Sequence, residues 1–130
     1  MRHSFLFLGF FLIVLLAVFH VFSTHYYIYW TNGWTDHVTH FLGGAGIGLI
    51  GLWCASSGIF GGHDLSSRAI FLTSLISALV VGAAWEVFEL KSGIIGFSAS
   101  YKLDTIMDIV SDLAGGFAAA LIGVHKKFYA

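Results

Sequence analysis

The sequence has little charge, no proline and a single cysteine, Cys54. Only 10% of its 130 residues are Asp, Glu, Lys or Arg, whereas a soluble domain carries about 25%. The lone cysteine excludes a disulfide-stabilised scaffold, and the composition excludes both a disordered chain and a charged nucleic-acid-binding protein. Because 58% of the residues are apolar, we expect the chain to be dissolved in a lipid bilayer, with no nucleic acid among its partners.

Four windows of the sequence are long and apolar enough to cross a bilayer, which takes about 20 residues in a helix. The short links between them are typical of antiparallel neighbouring helices, and runs such as FLFLGFFLIVLLAVF lack the alternation of a membrane β-barrel. The sequence therefore predicts an all-α, four-helix transmembrane bundle that forms a single domain over residues 1–130. The predicted helices cover about residues 5–22, 36–57, 69–90 and 103–124.

The first window has a second interpretation, a cleaved signal peptide. Arg2 and His3 give a short basic start, and Val21-Phe22-Ser23 would serve as a cleavage site. The apolar run is nevertheless long for the core of a signal peptide. We therefore favour an uncleaved first helix.

The basic residues predict the orientation, because cytoplasmic ends of membrane proteins carry an excess of Lys and Arg. All of them are predicted to lie in chain ends or links. An orientation with both termini inside makes Arg2, Arg68, Lys126 and Lys127 cytoplasmic and leaves Lys91 and Lys102 outside. The outer link then carries an aromatic cluster that is predicted to anchor in the membrane interface, namely Tyr26, Tyr27, Tyr29, Trp30 and Trp34.

Most of the acidic residues are predicted at or inside the spans, toward the outer end of the bundle. At about 100° per residue, they share helix faces with glycine and alanine, which mark close helix contacts in membranes. Both patterns predict that the polar groups point inward. Helix N-capping is the structural alternative for Asp36 and Asp104. The group comprises Asp36, Glu86, Glu89, Asp104, Asp108 and Asp112, accompanied by His37 and His40.

Carboxylates this crowded, in windows without Lys or Arg, need neutralisation. A divalent cation, protons, or water in a cavity open to the outside would each supply it. We favour a divalent cation (Mn²⁺, Mg²⁺, Ca²⁺ or Zn²⁺), because carboxylates with one or two imidazoles suit these ions. No organic cofactor is predicted. The expected ligands are Asp36, His40, Glu86, Glu89, Asp104, Asp108 and Asp112.

Three segments of the chain resemble the VanZ-like family and related, uncharacterised bacterial inner-membrane proteins. They are DHVTHFLGG from Asp36, WEVFE at Trp85–Glu89 and DTIMDIVSDLAGG at Asp104–Gly116. The resemblance implies a multi-pass protein of the bacterial inner (plasma) membrane, in the cell envelope. It also implies that the acidic residues are functional, but it does not indicate which reaction, if any, the protein catalyses.

Three functional hypotheses arise from these residues, and whether the protein is an enzyme stays open. A bound cation could support hydrolysis of an ester or phosphoester in a lipid-linked substrate, with a spare carboxylate as base. Proton or ion translocation would use the same side chains as a relay, although the fourth window is apolar beyond Asp112. A non-enzymatic scaffold would use the GxxxG-like spacing of Gly44 and Gly48 to form a homo-oligomer.

Overall fold

A computed structural model describes residues 2–57, 64–93 and 101–128, and within these ranges the chain forms five helices and no strand. In chain order they are α1 (Arg2–His25), α2 (Ile28–Thr31), α3 (Trp34–Ser56), α4 (Ser67–Ser92) and α5 (Tyr101–Phe128). All except α2 are long and apolar enough to cross a membrane. The predicted all-α bundle of four spans is confirmed.

The helix ends differ from the predicted windows in ways that matter for the polar residues. α3 begins at Trp34, after Gly33, and α5 begins at Tyr101. Asp36 and Asp104 therefore lie inside the first turns, so the N-capping alternative for them is wrong. The rest of the predicted links, residues 58–63 and 94–100, lies outside the described residues.

The expectation that every basic residue lies in an end or a link is also wrong. Arg68 and Lys91 belong to α4, and Lys102 belongs to α5. The backbone hydrogen bonds of a helix continue past the hydrocarbon core into the interface, where a long basic side chain reaches water while its stem stays in apolar surroundings. Hydropathy marks the edge of the apolar layer and not the end of the helix.

α3 is the central helix of the bundle, because α1, α4 and α5 all pack against it. At one end of the bundle, Leu52 of α3, Ile70 of α4 and Ala120 of α5 form a buried cluster, and Phe5 of α1 packs on it. The start of α1, the end of α3, the start of α4 and the end of α5 therefore meet there. Successive long helices are antiparallel, and the opposite end gathers the starts of α3 and α5 with the end of α4.

The outer surface of the bundle is apolar, as contact with a lipid bilayer requires. Many large apolar side chains on α1 and α4 are at least half exposed. Examples are Phe7, Phe10 and Val18 on α1, and Ile76, Val80 and Phe88 on α4.

Glycine allows α3 to cross close to its neighbours. A Cβ added at Gly44 would overlap the backbone carbonyl of Asp112 on α5. A Cβ at Gly48 would lie 3.0 Å from the Ala119 side chain of α5 and would overlap the Ser74 hydroxyl of α4. The prediction that Gly44 and Gly48 form an oligomer interface is therefore wrong, because this face is already used inside the bundle.

Ser66 caps α4, because its side-chain oxygen accepts a hydrogen bond from the Ala69 N–H at 3.2 Å. Ser66→Ala removes this acceptor and is expected to lower the free energy of unfolding by about 1 kcal/mol. Equilibrium unfolding of the purified protein in mixed micelles measures the change. Ser67→Ala, one residue into the helix, is the control and is expected to stay within about 0.5 kcal/mol of wild type. Equal losses in the two variants would contradict the capping role.

Candidate metal centre

His40 of α3 lies among acidic side chains from three helices. Its Nδ1 donates a hydrogen bond to Asp112 Oδ2 at 3.2 Å. Its Nε2 faces three other carboxylates: the distances are 3.8 Å to Asp36 Oδ1, 3.8 Å to Glu86 Oε1 and 4.0 Å to Asp108 Oδ1. One ring nitrogen is thus hydrogen-bonded, and the other points into a space bounded by carboxylate oxygens.

Helix periodicity explains how each helix delivers its groups. Residues four apart lie on the same face of a helix, and this spacing separates Asp36 from His40 on α3 and Asp108 from Asp112 on α5. Glu86 enters from α4, whose last turns pack beside them. The prediction that these faces turn inward is confirmed, since Glu86, Asp108, Asp112 and His40 are all buried.

Glu86 and Asp108 are buried carboxylates with little to compensate their charge, although the Thr105 hydroxyl lies beside Glu86. Glu86 is 5% exposed and Asp108 is fully buried, and their oxygens accept no hydrogen bond of good geometry from the described residues. In the described ranges, their ion-pair partners are His37 and His40 alone. Burying a carboxylate without donors or a counter-charge is costly. The cluster therefore requires added positive charge, from a cation or from protons.

The spacing of the side chains suits a single ion. Two ligand atoms on opposite sides of an ion with bonds of about 2.0–2.6 Å are about 4–5 Å apart. Neighbouring ligand atoms of the same ion are closer, about 3–4 Å apart. The separations of 3.8–4.0 Å around His40 Nε2 are too long for direct hydrogen bonds but suit neighbouring ligands of one ion. Two sets offer ligand atoms that all lie within 4.8 Å of one another, namely Asp36, His40 and Asp108, and His40, Glu86 and Glu89.

Asp112 and Asp104 were predicted as ligands but occupy other positions. Asp112 contacts the opposite ring nitrogen of His40, which is where a carboxylate orients a metal-binding imidazole and fixes its tautomer. Asp104 is half-buried, one turn before Asp108, and belongs to neither set of converging ligand atoms. The structure thus brings five of the seven predicted residues into two sets of converging ligand atoms that share His40: Asp36, His40, Glu86, Glu89 and Asp108.

Residues 4–127 match the family described as predicted membrane protein (DUF2238). The chain belongs to the DUF2238 family. No curated protein and no solved structure matches it. The match supports the broader part of the sequence resemblance, a family of membrane proteins, and contains nothing specific to VanZ-like proteins.

The DUF2238 match includes every residue of the acidic cluster, and it also includes positions whose role the sequence did not reveal. Gly82 of α4 is one of them: a Cβ there would overlap the carboxylate of Asp112. Gly82 lies four residues before Glu86, and this spacing indicated only that a small residue shares a helix face with Glu86. In the structure, the absence of a side chain at Gly82 makes the space in which the Asp112 carboxylate meets His40.

Thr39 and Tyr29 lie beside the cluster and were not predicted as part of it. The Thr39 hydroxyl donates to the Asp36 carbonyl at 2.7 Å and lies 3.4 Å from Asp36 Oδ1. The Tyr29 hydroxyl is 2.8 Å from His20 Nδ1. Burial raises the pKa of Tyr29, and the negative charge of Asp36 acts in the same direction, so the phenol stays neutral at physiological pH.

The aromatic belt expected in the outer link therefore divides into two parts. Tyr26, Tyr27, Trp30 and Trp34 are exposed, as interfacial anchors would be. Tyr29 is half-buried and faces the acidic end of the bundle instead. Composition alone identifies an aromatic link, but the direction of each ring depends on the turn that the chain makes through α2.

Proposed function

We propose that this DUF2238 protein binds a divalent cation inside the membrane, at the end of the bundle that contains His40. The observation that carries the proposal is the position of His40 Nε2, 3.8–4.0 Å from carboxylate oxygens of three residues. Two of those carboxylates are buried, and their oxygens accept no hydrogen bond of good geometry from the described residues. The proposed ligands are His40, Asp36, Glu86, Glu89 and Asp108, with Asp112 orienting the imidazole.

The donor set favours hard or borderline ions. Carboxylate oxygens suit Mg²⁺, Ca²⁺ and Mn²⁺, and an imidazole ligand suits Mn²⁺ and Zn²⁺. The single cysteine, Cys54, lies near the end of α3, far along the helix from His40, so no thiolate competes for a soft ion. Mn²⁺ binds both carboxylate oxygens and imidazole nitrogens, so we choose it as the probe.

We propose hydrolysis of a lipid-linked ester or phosphoester as the reaction. A cation at this position would polarise the substrate oxygen as a Lewis acid. A carboxylate of the cluster that does not bind the ion would accept a proton from the attacking water. The resemblance to VanZ-like proteins supports a place in the bacterial inner membrane. The distribution of Lys and Arg supports an orientation with both termini in the cytoplasm and the centre toward the outer face.

The two other hypotheses have less support. Past Asp112, toward the other end of the bundle, the buried Ser74 hydroxyl of α4 donates to the Gly116 carbonyl at 2.7 Å. This hydrogen bond contains no titratable side chain, so it does not extend a relay to that end. The scaffold hypothesis depended on a glycine face that packs within the bundle. We therefore favour a metal centre over translocation or a purely structural role.

Equilibrium Mn²⁺ binding to the detergent-purified protein tests the proposal. We expect about one ion per chain for wild type, and loss of binding by at least about 100-fold in the double variant Asp108→Asn with Glu86→Gln, because single outer-sphere changes already cost about 10–100-fold. Asp64→Asn, an exposed acidic residue before α4, is the matched control and retains wild-type affinity. Absence of binding to wild type, or binding unchanged in the double variant, would contradict the proposal.

Asp112→Asn tests the orienting role separately from ligation. The amide still accepts a hydrogen bond but has no charge with which to hold the imidazole, so we expect Mn²⁺ affinity to fall by about 10–100-fold while the stoichiometry is kept. Asp104→Asn, one turn before the ligands, should change affinity by less than about threefold. If Asp104→Asn has the larger effect, the assignment of the two residues is wrong.

A further inference from the structure

A groove on the outside of the bundle leads toward the candidate metal centre. It lies between α3 and α5 and has a volume of about 350 Å³, which is the size of a small ligand pocket. Its lining is almost entirely apolar. The lining includes Trp34, His37, Phe41 and Leu42 from α3, and Val110 and Ala114 from α5.

The groove is polar at the end that Trp34 and His37 form. Deeper in, its lining is apolar apart from Ser111, whose hydroxyl donates to the Met107 carbonyl at 2.9 Å. Trp34 and His37 belong to the first turns of α3, and Leu42 lies about 12 Å further along the helix axis than Trp34, at 1.5 Å per residue. Trp is enriched at the membrane interface, whereas the deeper residues face hydrocarbon. This order, a polar end at the surface and an apolar trough below it, matches a lipid with its headgroup at the interface.

His37 connects the groove to the buried cluster. It lines the groove, and its Nδ1 lies 3.4 Å from Asp108 Oδ1. The His37 side chain is 37% exposed, whereas that of Asp108 is fully buried. A headgroup held beside His37 is therefore adjacent to a proposed metal ligand without entering the bundle.

We propose that the groove binds a membrane phospholipid, with one acyl chain along Phe41 and Leu42 and the phosphate beside His37. The inference rests on the proposed cation site, because a phosphate would be repelled by the carboxylates alone. A divalent cation at the centre reverses that repulsion and binds phosphate oxygens, and the His37 ring beside the groove offers a hydrogen-bond donor to the phosphate. This assigns the substrate class of the centre as a lipid with a phosphate-bearing headgroup.

Photolabelling with phosphatidic acid that carries a diazirine in one acyl chain tests the inference, in detergent micelles containing Mn²⁺. We expect saturable labelling of the α5 peptide around Val110 and Ala114. Unlabelled phosphatidic acid should compete for it, and diacylglycerol, which has the same chains without the phosphate, should not. Ala114→Phe fills the groove and is expected to lower the saturable labelling by at least about tenfold.

Matched variants separate occlusion of the groove from damage to the fold. Val110→Phe blocks the same groove from a side chain that is already 53% exposed, so it supports the result if Ala114→Phe does not fold. Val80→Phe changes the lipid-facing side of α4 and should leave the labelling unchanged. Labelling that never saturates, equal loss in Val80→Phe, or equal competition by diacylglycerol would overturn the inference.

Mn²⁺ binding to the same preparations keeps the two proposals apart. Both groove variants should bind Mn²⁺ as wild type does, because neither residue is a proposed ligand. Mn²⁺ binding without saturable labelling overturns the lipid inference and leaves the cation site standing. Saturable labelling of a wild-type protein that binds no Mn²⁺ overturns the cation site, and with it the reason for a phosphate headgroup.

Discussion

His40→Ala is expected to weaken Mn²⁺ binding by more than about 100-fold. Removing an outer-sphere partner of a metal ligand costs less, about 10–100-fold. The reason is geometric, since His40 is common to both sets of converging ligand atoms. Removing its imidazole deprives each set of a neutral ligand and leaves mutually repelling carboxylates. Titration of free Mn²⁺ by electron paramagnetic resonance in the presence of the purified variant measures the affinity directly.

His25→Gln is the control for this experiment. His25 lies at the end of α1 and is exposed, with its ring against Tyr26, so the substitution removes an imidazole from the same end of the bundle without touching the cluster. We expect wild-type affinity for it. Retention of Mn²⁺ binding by His40→Ala within about threefold of wild type would show that the ion, if bound, is not held at this centre.

Gly44→Leu is expected to prevent stable folding of the bundle. Even a Cβ at this position would overlap the Asp112 carbonyl of α5, and the obstacle is backbone, which moves only if the helices separate. Overpacking a well-packed interior commonly costs about 1–3 kcal/mol and occasionally more, and a leucine here adds three further carbons. Gly44→Ala should already lower the melting temperature by about 10 °C, as measured by intrinsic fluorescence in detergent.

Gly33→Ala is the matched control for the glycine experiment. Gly33 precedes α3 with a φ of −61°, and a Cβ there would meet nothing within 4 Å. A non-glycine residue adopts this backbone conformation without strain, so the melting temperature should remain that of wild type. A stable Gly44→Leu variant with native helix content would contradict the close crossing of α3 and α5.

The fold was predictable because the bilayer imposes a simple rule on the chain. Four apolar windows of sufficient length specify four spans, and short links make them antiparallel. The helix ends were not predictable in the same way, as Lys91 and Lys102 show, because a helix continues into the interface without any change in its hydrogen bonding. The turn at Tyr27, in the aromatic link between α1 and α3, was likewise not predictable, because its φ of 58° is uncommon for a residue other than glycine.

The composition of the candidate site was predictable, but the division of roles within it was not. Spacing places Asp36 with His40 and Asp108 with Asp112 on single helix faces, and the cost of intramembrane charge turns those faces inward. Only the relative rotation of α3 and α5 decides that Asp112 meets Nδ1 while Asp108 faces Nε2. The same rotation puts Gly44 and Gly48 inside the bundle, where a sequence pattern alone indicated an oligomer interface.

Anomalous diffraction at the manganese absorption edge, from crystals of the protein grown with Mn²⁺, would locate the proposed ion. We expect one anomalous peak between α3, α4 and α5, within about 2.0–2.6 Å of His40 Nε2 and of carboxylate oxygens from Asp36 or Asp108 and from Glu86 or Glu89. No peak at this position under saturating Mn²⁺, or a peak only at surface carboxylates such as Asp64, would contradict it.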